Sequence, residues 1–500
     1  MRPDVAVSPR TDSPTTDSRP PVATLDKGLR PGALGLLSSV VIAVSSTAPA
    51  YGMAATLGVL VLVAGVHSPG MLIVSFLPML CIAVAFRELN KVDPDCGTTF
   101  SWVRRAFGPS AGWLGGWGLV VADVIVMSSL AQIAGRYTFL LFGADRLAAS
   151  PLWVTVAGVL FIAVLTWVCY RGIEVSARLQ QVLLAIELLV LCVFSVVALV
   201  RVGTGHALAG AAKPTLDWFN PWPGSVGGLS DSFLLAVFIY WGWDCALSVN
   251  EETKDAARTP GRAAVISTVT LVAVFAVIST AALAVAGPGF LIAHSSDVLS
   301  AMSTAVLGGV GGKLLVLCVL TSATASTQTT IMPTARAVLS MAAHRALPAV
   351  FGRTHPRHRT PTVATIAMGG LSAGLFVLLT VVSRNVLADS AAAVGLLIAF
   401  YYGLTGFACA WYFRADLRRS ARDLVVKGIL PVLGGLALTC AFALSIKSYL
   451  PADSGSSSFA GIGGIFLIGV GALLIGVLCL LVVRWRLPAF FAAGQKGTTR

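Results

Sequence analysis

Of the 500 residues, 56% are hydrophobic and only 11% are charged, with a mean hydropathy of +0.85. A chain this apolar is not an ordinary soluble globular protein; it belongs in a bilayer. The formal net charge of +13 is accounted for by basic loops between membrane spans, so it gives no argument for a nucleic-acid partner.

Residues 1–30 are polar and rich in Ser, Thr, Pro and Asp, without a short apolar core followed by a small-residue cleavage site. They read as a disordered cytoplasmic tail rather than a signal peptide. About twelve apolar runs follow, each long enough for a hydrocarbon core of roughly 30 Å. The predicted spans are 33–63, 69–87, 111–142, 151–170, 176–201, 231–252, 262–287, 312–341, 361–382, 389–413, 427–449 and 460–483. Several exceed one straight crossing and must tilt or break.

The first span contains "VSSTAPAYGMAATLG", Val44 to Gly58, where Ser45, Ser46, Thr47, Pro49 and Gly52 interrupt the apolar run. The third holds Asp123 near its middle and Arg136 toward its end, and the fifth holds Glu187 in "LLAIELLVL". An ionisable group at that depth is a functional candidate, because its solvation is costly unless it pairs or takes up a proton. Glu187 is the first choice for coupling and Asp123 the second; the alternative for each is a buried hydrogen bond that ties helices together. The sixth span contains "IYWGWDCALSVNEET", Ile239 to Thr253, broken at Gly242 and Asp244. Two compatible roles are open to Asp244: lining a cavity at the break, or accepting hydrogen bonds from the N–H groups freed there. Glu251 and Glu252 lie beside Lys254, Arg258 and Arg262. They read as solvated pairs, with a gate-closing ion pair as the alternative.

The eighth span ends in the hydroxyl-rich "TSATASTQTTIMPTARAVLS", Thr321 to Ser340, suited to helix packing or to holding a cation near the first span. The loop from His344 to Pro361 is basic, a topology determinant in place to touch anionic lipid. In the last span, glycine-rich Gly461 to Gly476 offers close helix approach, and so a homodimer face. The nine cysteines and six histidines are scattered without metal-ligand spacing, and no nucleophile and base pair stands out. Neither a cofactor, a metal nor an enzyme activity is expected.

With both termini on one side, the basic residues crowd the segments of that side. Across it lie only Arg146, Arg201, Lys213, Lys313, Arg384 and Lys447, and within spans Arg136 and Arg336. Both ends are therefore expected in the cytoplasm, with the protein in the cell membrane. Residues 31–205 and 231–415 form two units of five spans, joined by the outer segment 206–230 and followed by two spans over 416–484 and a tail at 485–500. An odd number of spans inverts the second unit relative to the first, and matching breaks in their first helices are the signature of a transporter built on inverted repeats.

Three stretches carry a family resemblance. "YWGWDCALSVNEETKDAARTPGRAAVIS" (Tyr240 to Ser267), "VDPDCGTTFSWVRRAFGPSAGWLGGW" (Val92 to Trp117) and "ARAVLSMAAHRALPAVFGRTHPRHRTP" (Ala335 to Pro361) resemble motifs of the amino acid, polyamine and organocation (APC) permease superfamily, in the group of cationic amino acid transporter-like bacterial permeases. The resemblance implies an all-α membrane protein of about twelve helices with the fold of the leucine transporter LeuT: a 5+5 inverted repeat plus two C-terminal helices. It implies secondary active import of an amino acid by alternating access, driven by protons with sodium as the second choice. Carried onto this chain, the site comprises Ser45, Ser46, Thr47, Ala48, Tyr51 and Gly52 from the first break and Tyr240, Trp241, Gly242, Trp243 and Asp244 from the sixth-span break. Trp243 and Tyr240 are the aromatics expected to face it. Where relatives carry several glycines at the first break this chain has "SSTAPAYG", and Glu187 stands where some proton-coupled relatives have a lysine. The alternative substrate is a polyamine or small organic amine, for which the loss of an N–H at Pro49 is no handicap.

Overall fold

In hydrocarbon each backbone N–H and C=O must be satisfied within its own segment, so apolar runs become helices, and breaks need partners other than lipid. The computed structural model describes residues 25–222, 226–295, 297–382 and 384–495. The tail expectation for residues 1–24 and 496–500 lies outside the described residues.

In chain order the helices are α1 Leu36–Thr47, α2 Pro49–Ala64, α3 Ser68–Val92, α4 Thr99–Phe107, α5 Pro109–Leu141, α6 Asp145–Ala148, α7 Pro151–Arg171, α8 Ile173–Gly203 and α9 Val226–Ile239. There follow α10 Cys245–Ser248, α11 Thr259–Ala293, α12 Val298–Ala343, α13 Thr362–Val382, α14 Arg384–Tyr412, α15 Ala421–Asp423 and α16 Leu430–Tyr449. A small antiparallel hairpin, β1 Ser458–Phe459 with β2 Ile462–Gly463, precedes α17 Gly464–Arg486 and α18 Pro488–Gln495. Among the described residues, ten stretches are long and apolar enough to cross a membrane. One of them, Leu36–Val92, runs through two breaks and covers the first predicted span from residue 36 onward and all of the second. The sixth predicted span is the interrupted pair α9 and α10, each too short to be counted among the ten. The chain is an all-α, multi-pass membrane protein.

Burial sorts these helices into two layers. The apolar stretches of α5, α12 and α14 are mostly buried, whereas only about a third or less of those of α7, α13, α16 and α17 is buried. Leu160, Leu378, Leu433 and Leu478 on the outer helices are positioned to meet lipid rather than water. In the glycine-rich start of α17, Gly469 lies against Leu396 and Gly476 against Trp117 of the same chain. Close approach at these two glycines is made within the chain, while Gly461 and Gly471 have no neighbour within 4 Å of a Cβ placed there. The tail expected from 485 begins as helix: α17 runs to Arg486, and α18 turns back so that buried Phe490 stacks on Phe100 at 6.0 Å.

One end of the bundle is tied by a buried charge network. Lys27, in the segment before α1, places its Nζ 2.9 Å from Asp95 Oδ2 and 2.5 Å from Glu251 Oε1. Asp95 Oδ1 accepts from Gly97 N, Ser101 Oγ and Ser340 Oγ. Burial works to raise the Asp95 carboxyl, but Lys27, His344 and these hydrogen bonds outweigh it and hold it below the usual carboxylate range. Its contribution to stability is therefore complete above the unfolded carboxylate value and lost as pH falls through the lower folded one. Buried Glu252 pairs with buried Arg336 of α12. The solvated reading of Glu251 and Glu252 is thereby corrected: a 3-10 turn at Asn250–Glu252 ends the helical phase and tucks both acids inward. In the same place Leu34 N donates to Glu252 O at 3.0 Å and Lys254 N to Leu34 O at 2.8 Å, joining the base of α1 to the segment after α10.

Removing the ammonium of a buried network leaves its acids uncompensated, at a cost of about 3–5 kcal/mol. Lys27→Met is expected to lower the melting temperature of the purified protein in detergent by several degrees. Arg30→Ala, whose pairing with Glu174 is about half exposed, serves as control and moves it little. Equal melting temperatures for the two variants would refute the buried-network account.

Candidate functional site

The first break is made by backbone geometry. Ala48 takes the left-handed conformation, φ 51° and ψ 66°, and Pro49 follows with no N–H to continue the ladder, so α1 stops at Thr47. A helix start leaves its first N–H groups without intrahelical partners. Here Pro49 has none to offer, Ala50 N donates to Glu187 Oε1 at 2.9 Å, and Tyr51 N donates to Ser322 Oγ at 3.1 Å. Gly52 N reaches Ala48 O at 2.8 Å. Ser322 Oγ in turn donates to the same Glu187 oxygen at 2.7 Å. The fully buried Glu187 therefore caps α2, the favourable place for an anion. Its Oε2 is buried with no hydrogen bond among the described residues.

The second break follows Ile239. Residues 240–244 form turns rather than helix, and Gly242 has φ 117°, a conformation that favours glycine. A Cβ at Gly242 would fall 2.7 Å from Ser46 C, 2.8 Å from Ser46 O and 2.9 Å from Thr47 N. The two interruptions thus meet backbone to backbone.

Beside that contact lies a small, partly enclosed cavity, lined by Ser46, Thr47, Tyr51 and Gly52 from the first break and by Phe238, Ile239, Trp241, Gly242, Asp244, Cys245 and Ser248 from the second. Leu119, Asp123 and Val126 of α5 and Ser326, Thr330 and Pro333 of α12 complete it. Asp123 Oδ2 accepts from Thr334 Oγ1 at 2.5 Å. Asp244 Oδ2 accepts from Tyr401 Oη at 3.2 Å, and Trp241 Nε1 donates to that hydroxyl at 2.5 Å. Asp244 stands at the start of α10 but makes no side-chain cap there, so the capping role is taken over by a contact to α14.

Of the residues expected from sequence, Ser46, Thr47, Tyr51, Gly52, Trp241, Gly242, Asp244 and Asp123 line this cavity. Ser45 and Ala48 are buried but not part of its lining, and Glu187 sits behind the first break. The aromatic pair chosen by proximity is corrected. Tyr240 packs edge-on against Phe275 at 5.1 Å, and Trp243 packs against Phe86 and Tyr402, both at 5.2 Å. The turn at Gly242 cancels the helical phase on which a facing prediction depends, and Trp241 and Phe238 line the cavity instead.

Sequence reading passed over Tyr401 and Cys245. A pair of adjacent tyrosines, Tyr401 and Tyr402, inside an apolar run was the available signal for the first. Cys245 has a local logic. Pro333 deprives Thr329 O of its helical donor, Cys245 Sγ supplies a hydrogen bond there at 3.2 Å, and Ser46 Oγ lies 2.8 Å from the same sulfur. This thiol therefore links α1, α10 and the proline bend of α12. At the Lys27 end, ligand atoms of Asp95, Cys96 and Glu251 fall within 4.8 Å of one another. The Lys27 ammonium already bonds both acids, so the charge a metal would supply is in place.

Comparison with known proteins agrees with this architecture. The sequence matches the family described as "Amino acid permease" over residues 34–473. It is 28% identical over 458 residues to an uncharacterized transporter of Mycobacterium tuberculosis, covering 91% of this chain and 92% of that protein. It is 23% identical to an arginine/ornithine antiporter of Lactococcus lactis, over 73% of this chain and 75% of the other. It is 25% identical to a branched-chain amino acid permease of Bacillus subtilis, over 60% and 65% of the two chains.

Since no side chain fits between Gly242 and the Ser46–Thr47 peptide, Gly242→Ala must separate the two breaks or abandon its φ. Transport is expected to fall at least about tenfold, the effect of roughly 1.4 kcal/mol on a barrier, while the variant still inserts. Uptake by Gly242→Ala at the wild-type rate would show that this backbone contact is dispensable.

Proposed function

The chain belongs to the amino acid permease family, and on that premise we propose that it is a secondary active transporter, not an enzyme, importing an amino-acid-type solute by alternating access. The observation that carries this reading is the cavity between the two helix breaks. It holds two buried carboxylates, Asp123 and Asp244, and no Lys, Arg or His among its lining residues. Such a cavity calls for a ligand with a positive group, and the α-amine common to amino acids supplies one. The names of the arginine/ornithine and branched-chain relatives support an amino-acid-type solute. In this reading the fold is of the LeuT type, with residues 31–205 and 231–415 as inverted repeats that move against each other around the site.

The proposed orientation puts the Lys27 end in the cytoplasm of a cell-membrane protein, because the basic loops 344–361 and 414–427 follow spans leading to that side. A wider vestibule lies beside the cavity on the other side, lined by Thr56, Ser129, Gln132 and Asp389 among others. Phe238 lines both spaces, and Tyr51 Oη lies 2.7 Å from Ser129 Oγ between them. The conformation then corresponds to a carrier closed toward the cytoplasm by the Lys27 and Arg336 pairs, with solute entering past Phe238.

Glu187 is the proposed proton carrier. Its Oε1 holds the start of α2, and a proton arriving on the unbonded Oε2 weakens that hold, which links protonation to the position of the half-helix. Sodium is the second candidate for the coupling ion.

Two variants test the assignments in proteoliposomes containing the purified chain. Asp244→Asn is expected to reduce uptake at least about tenfold, with normal insertion; unchanged uptake would remove the acid from the site. Glu187→Gln, a permanent neutral mimic, is expected to retain solute exchange between the two sides while losing accumulation driven by an inward proton gradient. Persistence of gradient-driven accumulation in that variant would exclude Glu187 as the coupling residue.

A further inference from the structure

Resting on the reading of the cavity between the breaks as the site of an amino-acid-type solute, we propose that Arg136 is its entry residue. The guanidinium receives the solute's carboxylate in the outer vestibule, so that the amine leads the way inward. Arg136 is a charge at membrane depth that the central cavity leaves without a task, since it lies outside that lining.

One face of α5 lines the whole way in. Leu119, Asp123 and Val126 line the central cavity, and Ser129, Gln132 and Arg136 line the vestibule. Steps of three or four residues keep all six on one side of the helix. Arg136 stands about 20 Å beyond Asp123 along the axis. Charge therefore changes sign along this stripe, from an acid at the inner end to an arginine at the outer. Among the described residues that line the vestibule, Arg136 is the single Lys, Arg or His, and its side chain is 41% exposed.

The donors of this arginine are unspent. Its Nη1 lies 3.5 Å from Asp297 Oδ2, too far for a hydrogen bond of ordinary length. Asp297 Oδ1 is taken by Tyr137 Oη and, at 3.3 Å, by Ser300 N, which fixes the acid beside α5. Asp297 thus positions the guanidinium without consuming its N–H groups, which make no hydrogen bond among the described residues. The acid of the vestibule is in the opposite condition. The Asp389 carboxylate is 3% exposed and accepts from Ser456 N at 2.8 Å and Ser457 N at 2.7 Å. An entering solute therefore meets an open cationic fork, whose geometry matches a carboxylate. With its carboxylate held there, an amino acid turns its ammonium down the stripe toward Asp123 and Asp244. An amine without a carboxylate finds no such partner at the entrance, so Arg136 selects against a class of cation that the two inner acids by themselves would admit.

The test uses proteoliposomes containing the full chain and, as probe, whichever of the common labelled amino acids the wild type carries fastest. Initial uptake is measured across concentration, with the amide of the same amino acid, which lacks the carboxylate charge, as competitor. In the wild type the amide is expected to compete at least about tenfold more weakly than the unlabelled amino acid. An amide that competes equally well overturns the entry role without any variant. Arg136→Gln is expected to raise KM at least about tenfold while kcat changes less than about twofold. Arg136→Lys, which keeps the charge but loses the fork, is expected to recover part of that loss. The inhibition constant of the amide is expected to stay level or fall in Arg136→Gln, narrowing the preference for the carboxylate. An unchanged KM in Arg136→Gln overturns the proposal. So does a rise in KM matched by an equal rise for the amide, or a fall in kcat alone, since either places Arg136 in the fold rather than on the carboxylate. In each of these outcomes the wild type still carries an amino acid, and the permease reading stands. Failure of the wild type to carry any of the amino acids overturns that reading and the entry role together.

Discussion

The approach of Gly242 to the Ser46–Thr47 peptide is the constraint on which the centre of this molecule depends. Two half-membrane helices end there, and their backbones touch at distances that leave no room for a Cβ. Backbone groups freed at such a place have no water to turn to, so each must find a partner in a neighbouring helix. Ser326 supplies one for Ser46 O, Glu187 and Ser322 supply them for α2, and Cys245 supplies one for Thr329 O. Of the hydroxyl-rich stretch of α12, Ser322 and Ser326 meet this need, whereas Thr321, Thr324, Thr327, Thr329 and Thr330 bond back to carbonyls of α12 itself.

Glu187, a buried acid at a helix start, stabilises the interruption of the first span: it accepts from Ala50 N and from the Ser322 hydroxyl that in turn accepts from Tyr51 N. The opposite end of the bundle is held differently. Lys27, Asp95, Glu251, Arg336 and Glu252 tie the segment before α1, the turn after α10 and α12 through buried charges. Charge pairs of this kind are costly to break singly, because each partner removed leaves an uncompensated buried charge.

How much of this was legible in the sequence depends on the range of the interaction. The spans were legible because hydropathy is a sum over neighbours in the chain, and bilayer thickness fixes the length of run that matters. The breaks were legible because Pro49 and Gly242 act on their own φ and ψ. Asp123, Asp244 and Glu187 stood out because acids are rare at membrane depth. The expectation for Tyr240 and Trp243 failed at the turn itself: once helical periodicity is interrupted, adjacency no longer tells which side chain faces inward. Glu251 and Glu252 read as solvated because their partners, Lys27 and Arg336, are 224 and 84 residues away in the chain.

By itself the sequence determined that this is an all-helical membrane protein, where its first and sixth spans are interrupted, and which acids are placed at depth. Those properties follow from side-chain transfer energies and local backbone limits, which need no knowledge of the rest of the chain. Only the tertiary structure decided that Glu187 caps α2, that Tyr401 holds Asp244, and that Ala50 N and Tyr51 N find their acceptors in α8 and α12. Hydrogen bonding is pairwise and directional, so whether a donor is free is a property of which helix lies beside it.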